Sequence, residues 1–239
     1  MLLGLMAKNT TLLTFVAGAT GFTGRAMAQQ DVDTYGIDLR LQVRPNSRSA
    51  ALLKDDPRTV QVDLSDAKAL REAMEGCHAV IQLIGTVRAR FDAHTSYESV
   101  DYQTTMDLLE AAKATGVKHF VLLSSVGADS GLGSYLAWKK KTEEAVRHFG
   151  IPYTIFQPGY LAGDSQNPDR LALKRTSAIF ERLTDAPLGF PLADWRPINI
   201  QVLASLMLHA VQRGPSDQTL SGKELFPLAR QLGLLARNT

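Results

Sequence analysis

The chain has 239 residues, 45% hydrophobic and 21% charged, the balance of an ordinary globular protein long enough to bury a substantial core. Its 26 basic and 24 acidic side chains leave a formal net charge of +2, which gives no polyanion-binding surface, so nucleic acid is not expected as a partner. A single cysteine, Cys77, excludes an intrachain disulfide, and no run approaches the ~18 apolar residues of a membrane-spanning helix.

The opening stretch, MLLGLMAKNT, has no basic leader region or cleavage site, so a cytoplasmic protein without membrane insertion is expected. From Leu12 onward, short apolar runs alternate with longer segments of helical period. LLTFVAG at 12–18 reads as a strand that runs into Gly18, Gly21 and Gly24 and then a helix over 22–30. Further strands are expected at 37–43, 59–62, 78–85, 119–125 and 152–158, several of them nearly continuous in Val, Ile, Leu and Phe, as strands buried on both faces must be. Helices fall between them at 65–75, with Ser65 as N-cap, at 99–116, closing on Gly116, and at 134–150, closing on Gly150.

Beyond Pro158 the alternation breaks. Gly163, Pro168, Pro187, Pro191 and Pro197 interrupt the pattern before a short strand at 196–200 and an apolar helix at 201–213. The expected fold class is therefore α/β, a doubly wound Rossmann-type parallel sheet with a small C-terminal substrate lobe. Residues 10–158 form the dinucleotide-binding part, and 159–239 form a substrate-covering lobe integrated with it.

The three glycines give G-x-x-G-x-x-G between a strand and a helix. Such a turn is either a tight connection or a cradle in which missing side chains let a pyrophosphate approach the helix N-terminal amides. Its place on the first strand of a βαβ series favours the cradle. After the second strand comes LQVRPNSR, with Arg44 and Arg48 and no acidic residue; arginine there suits a 2′-phosphate, which points to NADP(H), with NAD(H) as the lesser option. Asp63, ending the third strand, either accepts from an adenine amino group or caps the next helix. Tyr135 and Lys139 stand one helical turn apart, a spacing suited to passing a proton to a carbonyl oxygen under the influence of a neighbouring ammonium. Of the adjacent hydroxyls Ser124 and Ser125, one can face that site, and Ser125 is preferred. Tyr97, Asp101 and Tyr102 open the helix beside it. No two histidines share a ligand spacing, so no metal is expected.

The segments GATGFTGR, LIGTVRAR, KHFVLLSSVGAD, YLAWKKKTEEAV, PYTIFQPGYLAGD and RPINI, in this order, resemble the atypical branch of the short-chain dehydrogenase/reductase superfamily, with likeness to the Tat-interacting-protein oxidoreductases and NmrA-like NAD(P)-binding proteins. The resemblance runs from about residue 13 to 225. It implies pyrophosphate contacts at Gly18, Thr20, Gly21, Phe22, Thr23 and Gly24, a 2′-phosphate contact at Arg44 and adenine contacts at Asp63 and Leu64. It further implies a cofactor wall at Gly85 and Thr86, an active pair in Tyr135 and Lys139, and a nicotinamide-side segment including Pro158 and Gly159; Ser125, ten residues before Tyr135, stands closer to it than the family's pattern places its serine. Arg88, Tyr97, Tyr160 and Arg196 are the candidates for substrate contact. The expected activity is NADPH-dependent reduction of a carbonyl or enone on a small molecule, with a non-catalytic NADP(H) sensor or scaffold as the alternative and a homodimer as the expected assembly.

Overall fold

The computed structural model describes residues 11–85, 96–163 and 194–235. Its strands, in chain order, are β1 (Leu12–Ala17), β2 (Ile37–Val43), β3 (Thr59–Gln61), β4 (Ala79–Gln82), β5 (His119–Leu123), β6 (Tyr153–Gln157), β7 (Leu161–Ala162), β8 (Ile198–Asn199) and β9 (Gln218–Ser221). The helices are α1 (Phe22–Ala28), α2 (Ala67–Met74), α3 (Thr104–Ala114), α4 (Gly133–His148), α5 (Ile200–Arg213) and α6 (Gly222–Gln231).

Seven strands form one sheet in the order β3-β2-β1-β4-β5-β6-β9, and β7 pairs with β8 apart from it. Every pairing within the large sheet is parallel. Strand order reverses between β1 and β4, the point at which a doubly wound sheet opens a ligand crevice at its carboxyl edge.

Alternation along the strands feeds two cores. Phe15, Val80, Phe120 and Ile155 point to a layer built with Leu70 of α2, Leu108 of α3 and Val146 of α4. Their neighbours Val16, Ile81, Val121 and Phe156 point the other way, to Met27 of α1, Met207 of α5 and Leu225 of α6. A sheet covered on both faces has no solvent side to supply polar alternation, which is why the central strands read as unbroken apolar runs.

Two elements depart from the sequence reading. After the helix expected at 201–213 the chain adds a strand and a helix that the sequence reading did not include: β9 and α6 join the main sheet and its core. β9 was concealed because QTLS buries only Leu220 deeply, and α6 because it carries Pro227 inside it, a residue that normally ends a helix. A capping box of Ser221 and Glu224 compensates at the helix start. The N-cap of α2 is Asp66, not Ser65: its carboxylate accepts from the Lys68 and Ala69 amides at 3.1 and 3.0 Å.

Candidate dinucleotide and active site

The three glycines of the first turn differ in what the fold demands of them. Gly18 has φ +86°, and a Cβ there would lie 2.8 Å from Ile84 Cγ1. A Cβ on Gly24 would stand 2.3 Å from the Gly18 carbonyl oxygen and 2.5 Å from Ala19 Cα, so α1 can lie against the turn only without one. Gly21 is otherwise. Its φ and ψ of −69° and 177° suit any residue, it is exposed, and a Cβ would touch only the Gly18 carbonyl, at 3.1 Å. Packing and backbone geometry thus explain two of the glycines, while Gly21 presents a bare outer surface that neither requires.

The turn is braced from below. Buried Gln42 accepts from the Gly18 amide at 3.1 Å and donates to the Val62 carbonyl at 2.9 Å. Among the described residues no side chain caps α1, and its first turn holds no acidic residue, so its positive end carries no local counter-charge there. Thr20 is half-buried at the rim and Thr23 is buried beneath it. Phe22 packs toward Gly163, where a Cβ would come within 3.2 Å of its ring.

Other expected positions align along the same carboxyl edge. Arg44 follows β2 directly and is exposed. Asp63 is likewise exposed; its oxygen accepts from the amide and hydroxyl of Ser65 at 3.0 and 2.8 Å. Those two bonds, with the charge of Arg44 as a lesser influence, hold its carboxyl below the usual range. Leu64 is half-buried against the α2–α3 layer. The Arg48 side chain, Thr86 and Arg88 lie outside the described residues.

At the end of β4 the backbone of Gly85 lies over an ion pair that local sequence patterns do not reveal. Lys139 Nζ meets Asp101 Oδ1 at 2.7 Å, the side chains 8% and 2% exposed. A Cβ on Gly85 would come within 3.2 Å of the ammonium and 3.3 Å of the carboxylate. Burial opposes the lysine's charge, but Asp101, with Tyr135 and Glu143 adding to it, outweighs burial and holds its pKa above the ordinary value. Tyr135 stands one turn earlier, its ring centroid 5.8 Å from Nζ. Tyr97, buried, packs its ring at a tilt of 59° against Tyr135 with centroids 5.5 Å apart. It is thereby a wall behind Tyr135.

The two serines separate cleanly. Ser124 continues the alternation of Phe120 and Leu122 toward α4, where its hydroxyl donates to buried Glu143. Gln157 Nε2 donates to both oxygens of the same carboxylate at 3.0 Å, and Arg147 donates to it at 2.7 Å and to Thr219 at 3.1 Å. The hydroxyl of Ser125, half-buried, makes among the described residues only a 3.4 Å contact with the Val126 carbonyl. The hydroxyl of Ser124 is therefore committed to the interior, and Ser125 is the one left at the edge.

Pro158 accepts from the Val126 amide at 2.9 Å, which ties the segment after β6 to the loop that carries Ser125. Gly159 allows the backbone of Trp195 within 2.6 Å of where a Cβ would stand. The Tyr160 carbonyl accepts from Ile198 at 2.8 Å as the β7–β8 pair begins. Arg196 is held over the ring of Phe226, 4.7 Å from its centroid. Beside this segment an open cavity of about 380 Å³ is lined by Gly127, Asp129, Gln157, Trp195, Thr219 and Ser221, among others.

A family model described as NAD(P)H-binding matches residues 18–181, from the first glycine of the turn to beyond β7. The chain belongs to this NAD(P)H-binding family. The atypical short-chain dehydrogenase/reductase likeness of the six sequence segments accords with that membership. The NAD(P)H-binding chain is 31% identical over 173 residues to the chloroplastic protein TIC 62 of Pisum sativum, covering 62% of this chain and 32% of that protein. It is 27% identical over 194 residues to sanguinarine reductase of Eschscholzia californica, covering 64% and 70%. It thus spans about a third of the length of TIC 62. Among solved structures, the oxidoreductase YlbE of Lactococcus lactis superposes with a TM-score of 0.59 at 16% identity, over 92% of this chain and 97% of that one. A double mutant of the dTDP-glucose 4,6-dehydratase DesIV from Streptomyces venezuelae, with NAD and DAU bound, gives 0.64 at 19% identity, over 92% and 81%. At these identities the likeness is one of fold. Among the described residues no helix is long and apolar enough to cross a membrane.

Proposed function

We propose that this NAD(P)H-binding protein is an oxidoreductase that uses NADPH to reduce a carbonyl or conjugated enone on a small organic molecule. One observation carries the reading: Tyr135 and a buried, charged Lys139 lie together beneath the loop after β4, on the sheet edge that also bears the uncapped glycine turn. A relative named for a reductase activity, sanguinarine reductase, supports it.

The nicotinamide supplies a hydride when bound. Gly18, Thr20, Gly21 and the first turn of α1 hold the pyrophosphate, and Lys139 anchors the nicotinamide ribose. Tyr135 delivers the proton that the substrate oxygen requires, and the lysine's positive charge favours the phenolate left behind. Ser125 donates a second hydrogen bond to the same oxygen. Gly159, Tyr160, Trp195 and Arg196, after β6 and before β8, border the substrate, which occupies the cavity lined by Gln157 and Trp195. The protein works in the cytoplasm on a small molecule, without nucleic acid or membrane, and α3 and α4 provide a homodimer surface.

NADPH is preferred over NADH because Arg44, exposed at the end of β2, meets the 2′-phosphate. Replacing Arg44 with Asp is expected to cost NADPH affinity roughly tenfold to a hundredfold, the value of charge-assisted hydrogen bonds, and to spare NADH. Equal losses for both cofactors in a fluorescence titration would remove Arg44 from this role. The activity itself is tested by NADPH oxidation against ketones, quinones and enones. Turnover that disappears in Tyr135→Phe while NADPH affinity stays constant is the expected outcome. NADPH binding without turnover of any substrate class would favour the sensor or scaffold reading, which has in its favour that Lys139 already holds a carboxylate partner.

A further inference from the structure

Asp101 reaches Lys139 by an unusual route. It sits in a π-helical turn, Glu98–Gln103, that precedes α3, a widened geometry that redirects side chains and gathers at functional sites. The backbone there is tied to the sheet. Thr105 Oγ1 donates to the Asp101 carbonyl at 2.6 Å and accepts from Gln82 Nε2 at 2.8 Å. Gln82 Oε1 in turn accepts from the Ile84 amide at 2.5 Å. One chain of hydrogen bonds therefore fixes both the backbone leading from β4 to Gly85 and the turn bearing Asp101, and the ion pair lies between them.

A buried ammonium without a counter-charge is costly and tends to give up its proton. The charged or titratable groups that bear on Lys139, among the described residues, are Asp101 from the π-helical turn and Tyr135 and Glu143 from α4. Glu143 is already bonded to Ser124, Gln157 and Arg147, which leaves Asp101 as the carboxylate in direct contact.

We infer that Asp101 is a positioning residue for the cofactor: by holding Lys139 charged beneath Gly85, it sets how tightly NADPH is gripped without touching it. The inference rests on the role of Lys139 as ribose anchor proposed above. A neutral partner of the same shape keeps the hydrogen bond but gives up the compensation, so the lysine deprotonates at lower pH and its grip is lost with the proton.

The test is Asp101→Asn, read in two ways: ¹³Cε NMR titration of Lys139 in lysine-labelled protein, and NADPH affinity by fluorescence between pH 6 and 9. In the unaltered protein Lys139 is expected to stay protonated throughout. In Asp101→Asn it should titrate within this range, and NADPH affinity, close to normal at pH 6, should fall relative to the unaltered protein by about tenfold per pH unit above the new pKa. Asp101→Glu should restore the flat profile in part, which a merely structural role does not require. Lys139 still charged at pH 9 in Asp101→Asn, with an unchanged NADPH profile, overturns the inference and leaves the proposed function standing. Should Asp101→Asn not fold, the double variant Asp101→Asn/Lys139→Met, which buries no charge, carries the test. It should bind NADPH weakly with no added pH slope, and normal affinity in it overturns the inference. Failure of the unaltered protein to bind NADPH at all, with Lys139 charged, overturns the proposed function and this inference together.

Discussion

Individual residues of the glycine turn make separable demands. Gly24→Ala drives a methyl to 2.3 Å from a backbone oxygen that cannot yield, and a loss of about 3 kcal/mol or more is expected. Gly21→Ala places its methyl in the open apart from one 3.1 Å contact and should cost under about 1 kcal/mol. The expected outcome is a low melting temperature for the first variant. The second should have a near-normal melting temperature but a reduced NADPH-induced increase, both read by scanning fluorimetry. If Gly21→Ala keeps the full increase, the bare surface at that position is not a phosphate seat. The glycine spacing and the Tyr135–Lys139 turn could be read from sequence because both are local and periodic. Gln42, which braces Gly18 across 24 residues, and Glu143, which claims Ser124 across 19, follow no local pattern, since their partners are chosen by tertiary placement. The same holds for Asp101, whose sequence position suggested the neighbourhood of the site but not its partner.

Among the elements, α4 is the one on which the site and the sheet meet. Tyr135, Lys139 and Glu143 stand at successive turns of its inner face, the first two toward the sheet edge and the third in a bonded cluster with β5, β6 and, through Arg147, β9. Glu143→Ala leaves the partly buried guanidinium of Arg147 and the amide of Gln157 without their carboxylate. It should cost about 3–5 kcal/mol in chemical denaturation. A loss below about 1 kcal/mol would show that the cluster relaxes around water. The first six strands were foreseeable from their apolar runs, and the helices between them from their period and glycine ends. β9 and α6 were not, for an edge strand faces few apolar neighbours and a helix interrupted by proline imitates a loop. The cap on α2 moved by one residue because Ser65 and Asp66 both satisfy the local rule, and Ser65 is drawn instead to Asp63.

For the whole molecule, acid stability is linked to His119. It is fully buried at the start of β5, its Nε2 2.9 Å from Thr154 Oγ1 on β6. Burial, with His78 nearby, lowers its pKa to about 4 from an ordinary 6.5, against a smaller opposing pull from Asp217. Between those values the unfolded chain binds the proton and the folded one does not, so stability rises with pH across this window. Nothing is lost above pH 6.5; as pH falls through the window stability declines, and the loss reaches about 3 kcal/mol once both states are protonated. Denaturant titrations of the unaltered protein and of His119→Gln from pH 7 to 4 should diverge in slope by this amount; parallel curves would assign the acid response to other groups.

The late arrival of β9 has a consequence for synthesis. Thr154 on β6 waits for Gln218 as its neighbour, so a nascent chain can assemble six strands while the far rim of the sheet still displays unsatisfied amides and carbonyls. Such a rim is a template for a second copy of the same polypeptide. A chain stopped at residue 216 should therefore precipitate or cross-pair during expression, even though it retains every position assigned to the dinucleotide.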